Sequence, residues 1–341
     1  MNPIEYGSKQ AIETCLKVKE NEKIVIITDH YSMDIANALK TYSQKKTKLI
    51  EFYVLNNHFE TPEEKNSFLD QSKKILEALK GANASIYCSS TKPYNNKEPM
   101  LFIDELFKVV QENKIRHAHM PSITKEIMET GMCVDYQEVQ RITKSIHNIL
   151  RTSHEAEFTT QKGTYIIAEF SPATRWFLHD GSFDDDIPIE NLPSGNLSAP
   201  PRNIEGMLVI DGYIGSHLNR KYGDIEKTPI TLRIEKNKII RQSVRCENKL
   251  LKKEFDELIF KTCKNTRRIG GVIIGTNIGL DKVIGNLLQD EKLPGLHILF
   301  GSPSYFPLNE WSSKVICDCW VKNTALTVKK EKLMDKGVFL I

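Results

Sequence analysis

Long apolar runs are missing from this 341-residue sequence. No uninterrupted stretch approaches the roughly 18 residues of a spanning helix, and the N-terminus carries no apolar leader core. A cytoplasmic protein with no membrane partner is therefore the expectation. Charge of one sign is missing as well, since 47 Lys and Arg nearly balance 44 Asp and Glu to leave a formal +3. Nucleic-acid binding needs clustered bases; the groups at Lys45-Lys46-Lys48, Lys252-Lys253 and Lys329-Lys330-Lys332 are dispersed and read as solvated faces, so no nucleic acid is expected. A disulfide framework is absent, because seven cysteines form an odd set without regular spacing and reduced thiols follow. Cys317 and Cys319 would share one face of a strand, pointing away from Asp318, and read as small core residues. No glycine fingerprint follows the first apolar run, which ends Thr28-Asp29-His30-Tyr31, so a nucleotide-phosphate site is unsupported. Internal repeats and low-complexity segments are also lacking.

What is there is 40% hydrophobic and 27% charged, the balance of an ordinary globular chain, at a length suited to two domains. Helical spacing of Ala11, Ile12, Cys15, Leu16 and Val18 precedes an apolar strand at 23–29. Helices at 32–43, 62–79, 99–111, 123–130 and 136–150 then alternate with strands at 49–55, 85–89 and 115–120. That alternation predicts a doubly wound, parallel α/β domain over residues 1–150. Beyond Leu150 the period becomes two. Residues 157–168 read as a hairpin turning at Lys162-Gly163, and 230–240 as another, so 151–341 is a β-rich domain. His117 and His119 alternate on a short strand and read as edge or surface residues. Asp184-Asp185-Asp186 lacks the spaced oxygens of a calcium loop and reads as solvated.

The chemistry-bearing residues gather between Gly270 and Asp318. An apolar run ends in Gly275-Thr276-Asn277, a second opens with His297, and a third is broken by one carboxylate, Asp318. With Asn191-Leu192-Pro193-Ser194-Gly195, Gly206 to Gly212, and Asp290-Glu291-Lys292 followed by Gly295 and His297, this order resembles the metallo-aminopeptidases related to aminopeptidase T. Dihydroxypyridine dioxygenases resemble that family in turn. The resemblance covers nearly the whole chain. It implies an N-terminal α/β domain, a β-rich C-terminal domain carrying a cleft, and a homodimer.

It also implies two divalent cations about 3.5–4 Å apart, and the expected ligands are mostly replaced. The family's glutamates fall on Asn196 and Gly271, and its closing His-x-Asp is Ile316-Cys317-Asp318. His297 and Asp318 remain, and Tyr305 aligns with the family's active-site tyrosine. Catalytic zinc sites use three protein ligands and facial-triad iron sites need two histidines and a carboxylate, so neither metal chemistry is supported. The resulting expectation is a non-catalytic, metal-free and cofactor-free relative that binds a peptide or peptide-like ligand through Arg175, Trp176, Asn196, His297, Tyr305 and Asp318. It would serve as an accessory protein to a partner enzyme in peptide maturation or peptide natural-product biosynthesis. Arg175 would clamp a carboxylate, and Trp176 would supply an aromatic wall. Two alternatives stand beside it: a metalloenzyme with ligands recruited from Cys317, Cys319, His179, Asp180 and His217, and a metal-free lyase or isomerase using His297 and Asp318 as acid and base.

Overall fold

A computed structural model describes residues 1–90, 97–183, 187–302 and 311–341. They form two compact units: residues 1–137 with 181–194, and residues 138–180 with 195–341.

In the first unit, α1 (Pro3–Lys9), α2 (Met33–Gln44), α3 (Pro62–Leu79), α4 (Glu98–Glu112) and α5 (Lys125–Glu129) alternate with strands. The strands are β1 (Ile24–Thr28), β2 (Ile50–Val54), β3 (Ala84–Cys88) and β4 (Arg116–Met120). They pair in parallel in the order β2-β1-β3-β4. Local chemistry sets the helix starts: Thr61 and Glu64 form a reciprocal capping box ahead of Pro62, which satisfies backbone donors that the first turn leaves free. Every residue of β1 is buried, as a strand covered on both faces requires. Val25 and Ile27 pack against Phe68 and Ile75 of α3 and Phe102 and Leu106 of α4, each such side chain contributing roughly 1.5–3 kcal/mol. The doubly wound parallel domain is thus as the alternation predicts.

The edge-or-surface reading of His117 and His119 is corrected here. His117 is fully buried and bonds Ser85 Oγ through Nδ1 at 2.8 Å, while His119 stacks on Tyr87 with ring centroids 5.2 Å apart. The reason is topological. Residues 181–194 return to this unit, and their strand, Ile189–Asn191, pairs alongside β4 and covers it.

The remaining strands, in chain order, are β5 (Glu155–Thr159), β6 (Tyr165–Glu169), β7 (Phe177–His179), the returning β8 (Ile189–Asn191), β9 (Asn196–Ala199), β10 (Asn203–Ile210), β11 (Ile230–Glu235) and β12 (Lys238–Ile239). They continue with β13 (Ile269–Gly275), β14 (Gly295–Gly301), β15 (Ile316–Val321), β16 (Ala325–Val328), β17 (Glu331–Asp335) and β18 (Val338–Phe339). The second unit holds an eight-stranded sheet, β12-β11-β10-β6-β5-β16-β17-β18, and a five-stranded sheet, β15-β14-β13-β9-β7. It also holds α6 (Tyr136–Ser153, most of which belongs here), α7 (Ser216–Tyr222), α8 (Lys249–Lys261) and α9 (Leu287–Asp290). Phe158, Ile166 and Leu232 of the larger sheet, Val272, Ile298 and Phe300 of the smaller, Ile146 of α6 and Phe255 of α8 join in one apolar core. Both expected hairpins form, the second turning at Lys236 and Asn237 with positive φ. No helix among the described residues is long and apolar enough to cross a membrane.

Candidate functional site

The smaller sheet of the second unit has two unlike faces. In antiparallel pairing, directly opposed residues share a face and alternate residues stay on it. Leu197, Val272, Ile274, Ile298, Phe300, Cys317 and Cys319 therefore lie together, and all belong to the apolar core. On the other face His297 opposes Trp320 and Ile273, Leu299 opposes Asp318 and Gly271, and Asn196 opposes Gly275 and His179. Asn196, His297 and Asp318 thus share one face of one sheet.

At its centre are three buried polar side chains. His297 Nε2 lies 2.9 Å from the Leu293 carbonyl, which can only accept, so that nitrogen donates. Nδ1 lies 3.2 Å from the Tyr213 hydroxyl and 3.4 Å from Asp318 Oδ2. The Tyr213 hydroxyl in turn donates a short hydrogen bond to Asp318 Oδ2. Burial first, and the Asp318 charge second, hold the Tyr213 phenol well above its ordinary pKa, so it remains a donor. Asp318 Oδ1 is buried and has no hydrogen-bond partner among the described residues. Trp320 stacks near the imidazole at 6.3 Å between centroids, and its indole N–H bonds the Pro294 carbonyl at 3.2 Å.

Tyr213 reaches this cluster because residues 212–215 run along the outer edge of β15. Gly212 N–H donates to Trp320 O, Trp320 N–H to Tyr213 O, and Gly215 N–H to Asp318 O. Ile214, opposite Cys319, points into the core, so its neighbour Tyr213 points to the polar face. Only glycine fits at 212, since a Cβ there would come 2.3 Å from the Trp320 ring. Gly275 is equally constrained, its Cβ position lying 1.9 Å from the Leu293 carbonyl oxygen, the same carbonyl that receives His297.

Beside the cluster, Lys292 is buried and paired with Glu291, whose backbone carbonyl accepts from Asn196 Nδ2 at 3.4 Å. Asp290 is also buried, receiving Ile284 N–H and Asn219 Nδ2 at 3.0 Å each; burial raises its pKa against these bonds. The negative charges of Glu291 and Asp290 both act on Tyr213.

The other sequence-predicted residues lie elsewhere. Trp176, expected as an aromatic wall, packs on Phe170 at 4.6 Å within the hydrophobic core, because an indole flanked by apolar neighbours is best buried there. Arg175 is exposed over the Phe177 ring at 5.2 Å. Tyr305 and Asp184-Asp185-Asp186 lie outside the described residues. Of the recruits considered for a metal, Cys317 and Cys319 face the core, Asp180 lies 3.6 Å from Lys144, and His217 is exposed on α7; His179 alone adjoins Asn196. Sequence reasoning missed Tyr213. It adjoins the motif ending at Gly212, but the partners that give it a role lie 84 and 105 residues away.

Among the described residues, the positions that the resemblance assigns to cation ligands offer few donor atoms. Gly271 offers no side chain, Ile316 offers hydrocarbon and is 43% exposed, and Asn196 brings no charge. Both nitrogens of His297 face partners within the protein. Among the described residues no three His, Cys, Asp or Glu side chains converge to hold an ion.

No protein-family model matches the chain, and no curated protein does. Solved structures that share its fold include two described by name. Wild-type AmpT, the aminopeptidase T of Thermus thermophilus, aligns over 99% of each chain at a TM-score of 0.65 and 13% identity. The 2,5-dihydroxypyridine dioxygenase of Pseudomonas putida KT2440 aligns over 99% of this chain and 96% of its own at 0.64 and 14%. The architecture is aminopeptidase-T-like from end to end.

Proposed function

We propose that this chain is a binding protein on an aminopeptidase-T-like frame, which takes a peptide or peptide-like ligand and does not cleave it. The observation that carries the reading is the Tyr213 hydroxyl, which bridges His297 and Asp318, the two residues retained from the expected ligand set. A cation at that position would have to break the phenol–carboxylate bond and would then find two ligands where catalytic zinc takes three. The peptide class rests on the shared fold, because one of the structures like it is an aminopeptidase. An accessory role beside a peptide-processing enzyme, in a homodimer, accords with such a reading.

Equilibrium binding of short peptides by calorimetry, followed by mass spectrometry of the mixture after prolonged incubation with added Zn²⁺ or Mn²⁺, tests it. Saturable binding with intact peptide is expected. Turnover that depends on added metal and is lost in His297→Ala would refute it.

A further inference from the structure

A cleft of about 560 Å³ opens in the second unit beside the Tyr213–His297–Asp318 cluster, with the Trp320 indole among its walls. Ile278, Leu280, Pro294, Val338 and Phe339 add apolar surface, and Ile278 and Val338 are 44% and 65% exposed, so hydrocarbon is left open to solvent at the lining. The charges around it are of two kinds. Glu226 is held by Lys162 at 3.0 Å and by Lys322 at 2.8 Å, which bring its carboxyl down to about 2, and Glu138 is held by Arg141 through two bonds of 2.7 Å. Those charges are answered within the protein. Asp281 and Lys336 also line the cleft, and neither has a hydrogen bond or ion pair among the described residues. An apolar pocket of this size with one unanswered charge of each sign is complementary to a small zwitterion carrying hydrocarbon.

Resting on the peptide-binding reading above, we infer that this cleft binds a short peptide with both ends free and an apolar side chain. The side chain lies against Trp320, Asp281 receives the terminal ammonium, and Lys336 pairs with the terminal carboxylate. Free ends are what distinguish such a ligand from an internal segment of a protein, which would present neither charge.

The test uses the full chain and the tripeptide Leu-Gly-Gly, with its N-acetylated and C-amidated forms, in calorimetry against wild type, Asp281→Lys and Lys336→Glu. Both substitutions fall at exposed positions and leave the core untouched. Each blocked end and each charge reversal is expected to weaken binding about tenfold, the worth of one charge-assisted hydrogen bond. N-acetylation should add nothing further in Asp281→Lys, nor amidation in Lys336→Glu. If Leu-Gly-Gly binds but neither reversal alters its affinity, the cleft assignment falls while the peptide reading stands. If no form binds at millimolar concentration, both fall. If the reversals instead change the sedimentation of the unliganded chain, a second copy occupies the cleft and the assignment is overturned.

Discussion

Replacing Tyr213 with Phe removes one oxygen from the centre of the second unit and leaves the ring in place. In the wild type that hydroxyl donates to Asp318 Oδ2 and lies 3.2 Å from His297 Nδ1. Asp318 Oδ1 already has no partner among the described residues, so the variant leaves the buried carboxylate with only His297 Nδ1, 3.4 Å from Oδ2, in place of the phenol. A hydrogen bond to a charged group contributes about 1.5–3 kcal/mol, and orphaning a buried acceptor carries a desolvation cost of about 1–3 kcal/mol or more for a charged one; these describe the same loss from two sides, so roughly 3 kcal/mol is expected. For a unit of this size that lowers the melting temperature by roughly 6–12 °C. Urea unfolding of Tyr213→Phe, Asp318→Asn and the double variant would measure it. The two substitutions should be strongly non-additive, because removing the charge relieves most of what the missing hydroxyl costs, with a coupling of about 1.5 kcal/mol or more. A Tyr213→Phe variant within about 0.5 kcal/mol of wild type, or strict additivity, would refute the bridge and the account of the site built on it.

Acid should weaken the first unit through its buried histidines. Burial lowers His119 from 6.5 to about 4 and holds His117 well below its ordinary value, with His119 adding to the effect on His117. Both are neutral when folded and take up protons on unfolding, so their contribution is fully present above pH 6.5 and is lost as pH falls toward 4. For His119 alone that amounts to roughly 3 kcal/mol, to be read as a smaller loss between pH 7 and 4.5 in His119→Gln than in wild type. Thiol chemistry separates the cysteines: hydrogen bonds from Ser313 first and Thr266 next bring half-buried Cys263 down to about 6, so it should react with a disulfide reagent within minutes at pH 7. Cys317 and Cys319, buried in the core, should react only at the rate of unfolding, and fast labelling of either would contradict their placement.

The parallel sheet was legible because β1, β3 and their connecting helices announce themselves locally: continuous apolar runs of strand length between amphipathic segments admit few other arrangements. The change of period after Leu150 was equally plain, since a hairpin such as β5–β6 exposes one face and buries the other. The returning strand Ile189–Asn191 gave no such sign. It is three residues long, and its value comes from covering β4, which is not recorded in its own neighbourhood. The same reason hid the burial of His117. At the site, His297 and Asp318 stood out as lone polar residues in apolar strands, and register brings them together. Tyr213 did not stand out, because a tyrosine after a glycine is common and only the pairing of residues 212–215 along β15 turns it toward them. Trp176 shows the converse, an aromatic residue whose chemistry suggested a ligand and whose surroundings are core.

Metal content measures the central claim most directly. The purified chain, dialysed against micromolar Zn²⁺, Mn²⁺ or Fe²⁺ and then against buffer, should retain well under one ion per chain by mass spectrometry, and its melting temperature should not move with metal, since binding to the folded state alone would raise it. About one ion held per chain, released in His297→Ala and Asp318→Ala, would contradict it.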